Sequence, residues 1–203
     1  MDKTKEKSKN YFNKTANNYH QDHDGVFVKP MYENLLKLVM EEKPNTMLDL
    51  GCGTGYLIKE IKKQLDCKAC GLDISEEMLK EAKKNISDCD YKLGDSENIP
   101  WEDNSFDLVL CSASFHHYPH PEKVLDEIKR VLKTNGVLIL GDPTMPIVLR
   151  QIFNLFIKYS ESGDYRIYDK NEMNELLNMS GFKLIEYKKI ETTKYILKAK
   201  LNG

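Results

Sequence analysis

A glycine-rich loop between an apolar strand and an amphipathic helix constrains this chain more than any other feature. Residues 46–50 form a short, mostly apolar run, and glycine occupies positions 51, 53 and 55 directly after it. Apolar residues at helical spacing follow over residues 57–65. Glycine at alternate positions lets the backbone turn tightly and lets a ligand approach closer than a Cβ would allow. The sequence therefore predicts a strand–loop–helix unit with a ligand site at its loop.

The alternation of strand and helix continues along the chain. Further apolar runs predict strands at residues 69–72, 91–93, 106–111 and 137–140, with helical stripes between them. Towards the end, residues 182–201 predict an antiparallel hairpin, because apolar residues alternate with lysine in its second half. The pattern predicts an α/β fold, in which a Rossmann-like, doubly wound and mostly parallel sheet carries helices on both faces.

Composition excludes several classes of protein. Thirty Lys and Arg against 32 Asp and Glu give a formal net charge of −2 over 203 residues, which argues against a strongly basic nucleic-acid binder. No apolar run is long enough to predict a membrane span, and the first ten residues lack the apolar core of a signal peptide. We interpret the five cysteines as reduced thiols and expect a cytoplasmic protein.

Acidic residues at two predicted strand ends indicate which kind of ligand the site binds. A phosphate-binding P-loop would need Lys after its last glycine, and the dinucleotide fingerprint has a different glycine spacing. Asp73 ends the second strand, where a carboxylate can accept hydrogen bonds from both hydroxyls of a ribose. Asp95 follows the third strand, where a carboxylate can accept from an adenine amino group. The loop and the two acids together predict a site for a nucleoside.

Five segments resemble, in order and spacing, the motifs of class I S-adenosylmethionine (SAM)-dependent methyltransferases. They are LDLGCGTG at 48–55, GLDIS at 71–75, GDSENIPW at 94–101, NSFDLV at 104–109 and LKTNGVL at 132–138. The chain is most similar to the small-molecule branch related to the ubiquinone and menaquinone biosynthesis enzymes. The resemblance covers residues 45–142, and residues 10–19 more loosely. It implies a seven-stranded sheet whose last strand is antiparallel, in agreement with the predicted hairpin.

The resemblance also implies SAM as cofactor, S-adenosylhomocysteine as product, and a set of contacts by position. Ten residues are expected to bind the cofactor: Asp49, Gly51, Gly53, Thr54 and Gly55 at the methionine moiety, Asp73 at the ribose, Ile74, Asp95 and Ser96 at the adenine, and Ser112 near the sulfonium. We expect residues 1–45 to form an N-terminal tail, mobile over 1–10, and lid helices. Residues 46–203 are expected to form the methyltransferase domain, with a lid insertion at 143–170.

A histidine-rich segment after the fourth predicted strand supplies the candidates for catalysis. His116 and His117 follow that strand, and His120 comes shortly after. One interpretation makes His117 or His116 a general base. The other makes the loop a pocket wall that only shapes the acceptor site. The His-His-x-x-His spacing lacks helical register and a nearby acid, so the sequence predicts no metal site.

Several alternatives stay open. The predicted partner is a small-molecule substrate, with no nucleic acid and no membrane. The DNA amino-methyltransferases that resemble this core carry an Asn/Asp-Pro-Pro-Tyr motif where this chain has Ser-Ala-Ser-Phe at 112–115. A methyltransferase acting on nucleic acid or protein, a SAM-binding sensor or partner subunit without turnover, and an NAD-dependent dehydrogenase are the competing hypotheses. Neither the acceptor atom nor the oligomeric state follows from the sequence.

Overall fold

The computed structural model describes residues 2–202. Over these residues the chain forms seven α-helices and seven strands. The helices are α1 (Lys3–Thr15), α2 (His23–Glu42), α3 (Tyr56–Lys62), α4 (Glu76–Asn85), α5 (Pro121–Val131), α6 (Ile147–Phe156) and α7 (Lys170–Met179). The strands are β1 (Thr46–Leu50), β2 (Lys68–Asp73), β3 (Asp90–Leu93), β4 (Phe106–Ser112), β5 (Leu132–Pro143), β6 (Phe182–Ile190) and β7 (Lys194–Leu201).

The strands form one sheet in the order β3-β2-β1-β4-β5-β7-β6. The first five strands in that order are parallel, and β7 lies antiparallel between β5 and β6. The strand order reverses between β1 and β4, because the chain runs outward through β2 and β3 before it crosses back. In open α/β sheets the ligand crevice lies at such a reversal, beyond the carboxyl ends of the strands. The predicted fold class is confirmed.

Two apolar clusters cover the two faces of the sheet. On one face, side chains of α5 and α7, such as Leu125 and Leu177, pack against Val109 of β4. On the other face, Leu35 of α2 and Ile58 of α3 belong to the cluster that holds the alternate residues of the same strands. The central strands are therefore buried on both faces, which explains their continuous apolar runs.

Residues 3–15 form helix α1, whereas the sequence suggested a charged, mobile tail over residues 1–10. Helix α1 begins after Asp2, whose carboxylate accepts a hydrogen bond from the Thr4 amide at 2.7 Å. Ser8 is buried, and its hydroxyl donates to the carbonyl of Gly163 at 3.2 Å. That contact joins residues 155 positions apart. The lysine-rich segment therefore forms a helix, and contacts with distant parts of the chain hold it in place.

The C-terminal third follows its sequence pattern closely. Asp169 and Glu172 form a capping box at the start of α7, and β6 and β7 form the predicted hairpin. Arg150 of α6 is buried and forms ion pairs with both of those acids. Strand β5 is longer than the predicted strand at 137–140, because it begins at Leu132, which pairs with Phe106. No helix among the described residues is long and apolar enough to cross a membrane.

Candidate cofactor and acceptor site

The loop after β1 adopts the backbone that its glycines permit. Gly51, Gly53 and Gly55 have φ of 75°, 52° and 71°, in the left-handed region that side chains disfavour. A Cβ on Gly51 would lie 2.1 Å from the Ser114 hydroxyl oxygen. The loop therefore turns directly from β1 into α3 and leaves a cavity on each side of Gly51.

The first cavity lies at the carboxyl ends of β2 and β3. Four predicted cofactor contacts line it with Gly51: Asp73, Ile74, Asp95 and Ser96. The Asp73 carboxylate is held in place because it accepts hydrogen bonds from the amides of Gly53 and Ser75, each at 2.8 Å. Burial raises the pKa of Asp73 to about 6, although these amide donors oppose the rise. A fixed carboxylate at this position can accept hydrogen bonds from a diol.

The second cavity lies beyond the ends of β1 and β4. Asp49, Gly53, Thr54 and Ser112 line it, and Gly51 is common to both cavities. Asp49 Oδ1 and Ser112 Oγ are buried with no hydrogen-bond partner among the described residues. Burial, followed by the nearby Asp73 charge, raises the pKa of Asp49 to about 7. Buried polar atoms normally have partners, so this pair indicates a place for a polar or cationic ligand group.

Helix α1 lies against the first cavity, which the sequence did not predict. The Lys5 ammonium contacts the Asp95 carboxylate at 2.6 Å and the Glu97 carboxylate at 2.8 Å. Ser8 and Phe12 of the same helix also line the cavity. Both oxygens of Asp95 are engaged, because the Glu97 amide donates to the second one at 3.0 Å. A ligand that uses Asp95 must therefore share it with Lys5 or displace Lys5.

A third cavity, of about 250 Å³, lies behind the first two. Its wall includes four aromatic side chains: Phe12, Tyr19, Phe27 and Phe153. The polar side chains of the wall are His23, Asp24, His116, His117, Ser162 and Asp164. His117 and Phe12 also line the first cavity, so they stand where the two spaces meet. An apolar pocket with a few convergent polar groups is typical of small-molecule sites.

The two histidines have different surroundings. His116 Nδ1 lies 2.9 Å from an oxygen of Asp142, a fully buried acid at the end of β5. Burial disfavours the charged imidazole, but the Asp142 carboxylate outweighs that effect and raises the pKa of His116. His117 Nδ1 lies 3.2 Å from the Gly163 carbonyl oxygen and 3.2 Å from Asp164 Oδ1. Burial and the adjacent His116 hold the pKa of His117 well below its usual value, so this ring stays neutral near pH 7.

Comparisons with known proteins show the family to which this chain belongs. The sequence profile of the methyltransferase domain family matches residues 48–140. The demethylmenaquinone methyltransferase of Staphylococcus haemolyticus is 30% identical over 165 residues, which cover 68% of this chain and 69% of that protein. The chain belongs to the class I SAM-dependent methyltransferases. The demethylmenaquinone methyltransferase of Thermotoga maritima is 29% identical over 170 residues, covering 78% of this methyltransferase and 74% of its relative.

Solved structures agree on the architecture. This methyltransferase superposes with a TM-score of 0.82 on a chain from the complex between the Haloferax volcanii Trm112 methyltransferase activator and a methyltransferase. The alignment covers 95% of this enzyme and 98% of that chain, at 19% sequence identity. At that identity the likeness concerns the fold alone. The family match identifies the protein as an enzyme of SAM-dependent methyl transfer.

All of the predicted site residues except Gly55 line one of the three cavities. Nine of the ten expected cofactor contacts line the first two cavities, while Gly55 faces Tyr91 and Ala82 and serves the turn. His116 and His117 line the third cavity. Sequence reasoning missed Asp142 and Asp164, which contact these histidines, because both acids come from later parts of the chain. It also missed Lys5, because the segment that contains it resembled a solvated tail.

Proposed function

We propose that the two cavities joined at Gly51 hold SAM and that the aromatic cavity behind them holds the methyl acceptor. One observation carries the proposal: Asp49 Oδ1 and Ser112 Oγ are buried without partners at one end of a cleft whose other end presents Asp73. An ammonium group at the first end and a ribose at the second would satisfy these atoms. SAM has both groups, so the residues present fit the cofactor.

In this proposal, different residues of the cleft contact different parts of SAM. The Asp49 carboxylate would pair with the ammonium group, and its raised pKa would fall as the pair forms. Asp73, already held by two backbone amides, would accept from the ribose hydroxyls. Ile74 supplies apolar surface for the adenine, and Ser96 and Asp95 lie where the adenine edge would end. Gly53 and Thr54 border the methionine end, where the Thr54 hydroxyl also contacts His20 at 2.7 Å.

Bound SAM supplies an activated methyl electrophile, so the remaining task of the protein is to position the acceptor. Holding two reactants in the correct geometry removes much of the entropic barrier. Phe12 and Tyr19 form aromatic walls, and His117 at the junction presents a neutral imidazole that can orient an acceptor group through a hydrogen bond. These features favour an acceptor with a polar ring and an apolar body.

The relatives are named for demethylmenaquinone, and we propose an acceptor of that class, a quinol-type ring with an apolar substituent. The surface next to the cavity supports this choice. Phe153 lines the cavity from α6, and the same helix exposes large apolar side chains to solvent: Ile147, Val148, Leu149, Ile152, Leu155 and Phe156. An acceptor whose apolar substituent leaves the cavity would meet this surface.

The remaining proposals concern the setting of the enzyme. A reducing compartment such as the cytoplasm suits the five cysteines, which form no disulfide in the part of the chain that the structure describes. A cavity of about 250 Å³ lined by aromatic and aliphatic side chains supports a small-molecule rather than a nucleic-acid acceptor.

Two measurements test the function. Isothermal titration calorimetry should detect one bound S-adenosylhomocysteine per chain, and the Asp73→Asn variant should bind it at least tenfold more weakly. The Asp126→Asn variant, altered at an exposed position on α5, is the matched control. A panel of quinols, phenols, thiols and amines should then contain an acceptor that turns over with SAM. Absence of any cofactor binding would refute the site, whereas cofactor binding without turnover on any quinol would refute the proposed acceptor class.

A further inference from the structure

The segment after β4 meets two acids that the sequence places far from it. His116 Nε2 lies 3.6 Å from Asp164 Oδ1, and His117 Nδ1 lies 3.2 Å from the same oxygen. The spacing of the histidines alone predicted no metal site, since no acid stood nearby. The fold supplies the acid from the loop between α6 and α7, and the three side chains offer ligand atoms within 4.8 Å of one another.

We propose that His116, His117 and Asp164 bind a divalent transition-metal ion in the wall of the acceptor cavity. A tetrahedral ion with ligand bonds of 2.0–2.2 Å holds its ligand atoms about 3.3–3.6 Å apart. The two distances to Asp164 Oδ1 are close to this spacing, and all three ligand atoms lie within 4.8 Å of one another, so the side chains would draw together around an ion. Three protein ligands leave an open coordination position, as in catalytic zinc sites.

The outer contacts of these ligands match those of known metal sites. Metal-binding histidines usually donate their other ring N–H to a carboxylate or carbonyl, and metal-binding carboxylates are themselves hydrogen-bonded. Asp142 faces His116 Nδ1 at 2.9 Å, which leaves Nε2 directed towards Asp164. The hydroxyls of Ser160 and Ser162 donate to the two oxygens of Asp164 at 2.7 and 2.9 Å. For His117 the same nitrogen, Nδ1, faces both Asp164 and the Gly163 carbonyl, each at 3.2 Å, so an ion there would replace that hydrogen bond. The outer contacts therefore orient His116 and Asp164.

The charges of the cluster are compatible with a divalent ion. Asp142 is fully buried and Asp164 is largely so, and each faces an imidazole ring. Metal binding requires both imidazoles to be neutral, and the two carboxylates then carry a charge of −2, which one divalent cation neutralises. Imidazole nitrogen with carboxylate oxygen suits zinc and iron among the first-row metals. His120 is no ligand in this arrangement, because its ring is half exposed and its nearest acid is Glu122 at 3.9 Å.

The ion would act on the methyl acceptor, so its role depends on the proposal that the third cavity holds the acceptor. The ligands line the wall of the aromatic cavity, so the open position of the ion would face the acceptor. Coordination lowers the pKa of a bound oxygen acid, as it does for zinc-bound water. An acceptor hydroxyl bound there would release its proton to water nearer neutral pH and keep its lone pair for methyl transfer. In that case the imidazoles hold the ion and do not take the proton.

Cobalt(II) is a direct probe of the site. Enzyme stripped with a chelator should bind one Co²⁺ per chain, with visible absorption typical of a low-symmetry site, and Zn²⁺ should displace it. His117→Ala and Asp164→Asn should each weaken Zn²⁺ binding at least a hundredfold in calorimetry. Asp142→Asn should weaken it about 10–100-fold, the usual effect of removing an outer contact. His120→Ala, in the same segment, should bind like the parent.

Binding of S-adenosylhomocysteine to each variant, measured without metal, reports separately on folding and on the cofactor site. A variant that keeps this affinity and loses Zn²⁺ supports the proposal. Stoichiometry well below one Co²⁺ per chain in the parent would overturn it, and so would Zn²⁺ affinity that survives both His117→Ala and Asp164→Asn. Neither result would touch the cofactor assignment, because Asp49 and Asp73 lie outside the metal cluster.

Discussion

Replacing Asp49 with Asn should stabilise the cofactor-free enzyme at alkaline pH and weaken cofactor binding. The carboxylate is buried with one oxygen unpaired, and its pKa rises from an ordinary 3.8 to about 7. The unfolded chain ionises this group near pH 4, while the folded chain retains the proton. Stability present below pH 4 is therefore lost as the pH rises to about 7. At 1.36 kcal/mol per pKa unit, the loss above pH 7 is on the order of 4 kcal/mol.

The same carboxylate should make cofactor affinity depend on pH. Below pH 7 the ammonium group of the ligand must first displace a proton from Asp49, so affinity should rise up to tenfold per pH unit and level off above pH 7. In Asp49→Asn this slope should disappear. The loss of a charge-assisted hydrogen bond, about 1.5–3 kcal/mol, should weaken S-adenosylhomocysteine binding by roughly 10–150-fold at pH 8.

Urea denaturation and calorimetry between pH 5 and pH 8.5 measure both effects. Asp49→Asn should be more stable than the parent at pH 8 and bind the ligand less tightly, whereas Asp126→Asn should match the parent in both. A variant that binds S-adenosylhomocysteine as tightly as the parent at pH 8 would refute the ammonium contact. Equal pH dependence of stability in the parent and in Asp49→Asn would refute the assignment of the raised pKa to this residue.

Three further changes have defined outcomes. Lys5→Ala removes the ion pair with Asp95, so S-adenosylhomocysteine should associate faster in stopped-flow fluorescence, and an unchanged rate would contradict a closing role for α1. His117→Gln should lower turnover at saturating SAM by at least tenfold, with cofactor affinity within twofold of the parent. Because the pKa of His117 lies well below its usual value, protonation of this ring should not limit turnover of the parent enzyme between pH 6 and pH 8. Arg150→Met should lower the free energy of unfolding, measured by urea denaturation, by about 1.5–3 kcal/mol, because it removes the charge-assisted hydrogen bonds from Arg150 to Asp169 and Glu172.

Local patterns were sufficient to predict most of the sheet. The apolar run at β4 indicated a strand, which the structure buries on both faces. The alternation around Leu197 indicated a half-exposed strand, and this was wrong, because β7 lies between β5 and β6 and none of its residues is exposed. The loop glycines and Asp73 could be located because strand ends and turns are short-range features. Their meeting in one cleft followed from the rule that parallel strands end at a common edge.

Long-range contacts account for what the sequence could not predict. Helix α1 is strongly polar, and its place depends on contacts such as those of Lys5 with Asp95 and of Ser8 with Gly163. The acid partners of His116 lie on β5 and on a loop beyond α6, so no local spacing relates them to the histidines. Polar contacts between segments distant in sequence leave no periodic signal.

The position of Phe12 bears on how many methyl groups one encounter can deliver. This side chain belongs to α1 and forms part of the wall of both the cofactor cleft and the acceptor cavity. An α1 that moves aside to release S-adenosylhomocysteine therefore opens the acceptor cavity in the same motion. An acceptor with more than one reactive position would lose a wall of its pocket between transfers. We expect such a molecule to be methylated distributively, so that singly methylated product accumulates in solution before the doubly methylated product forms.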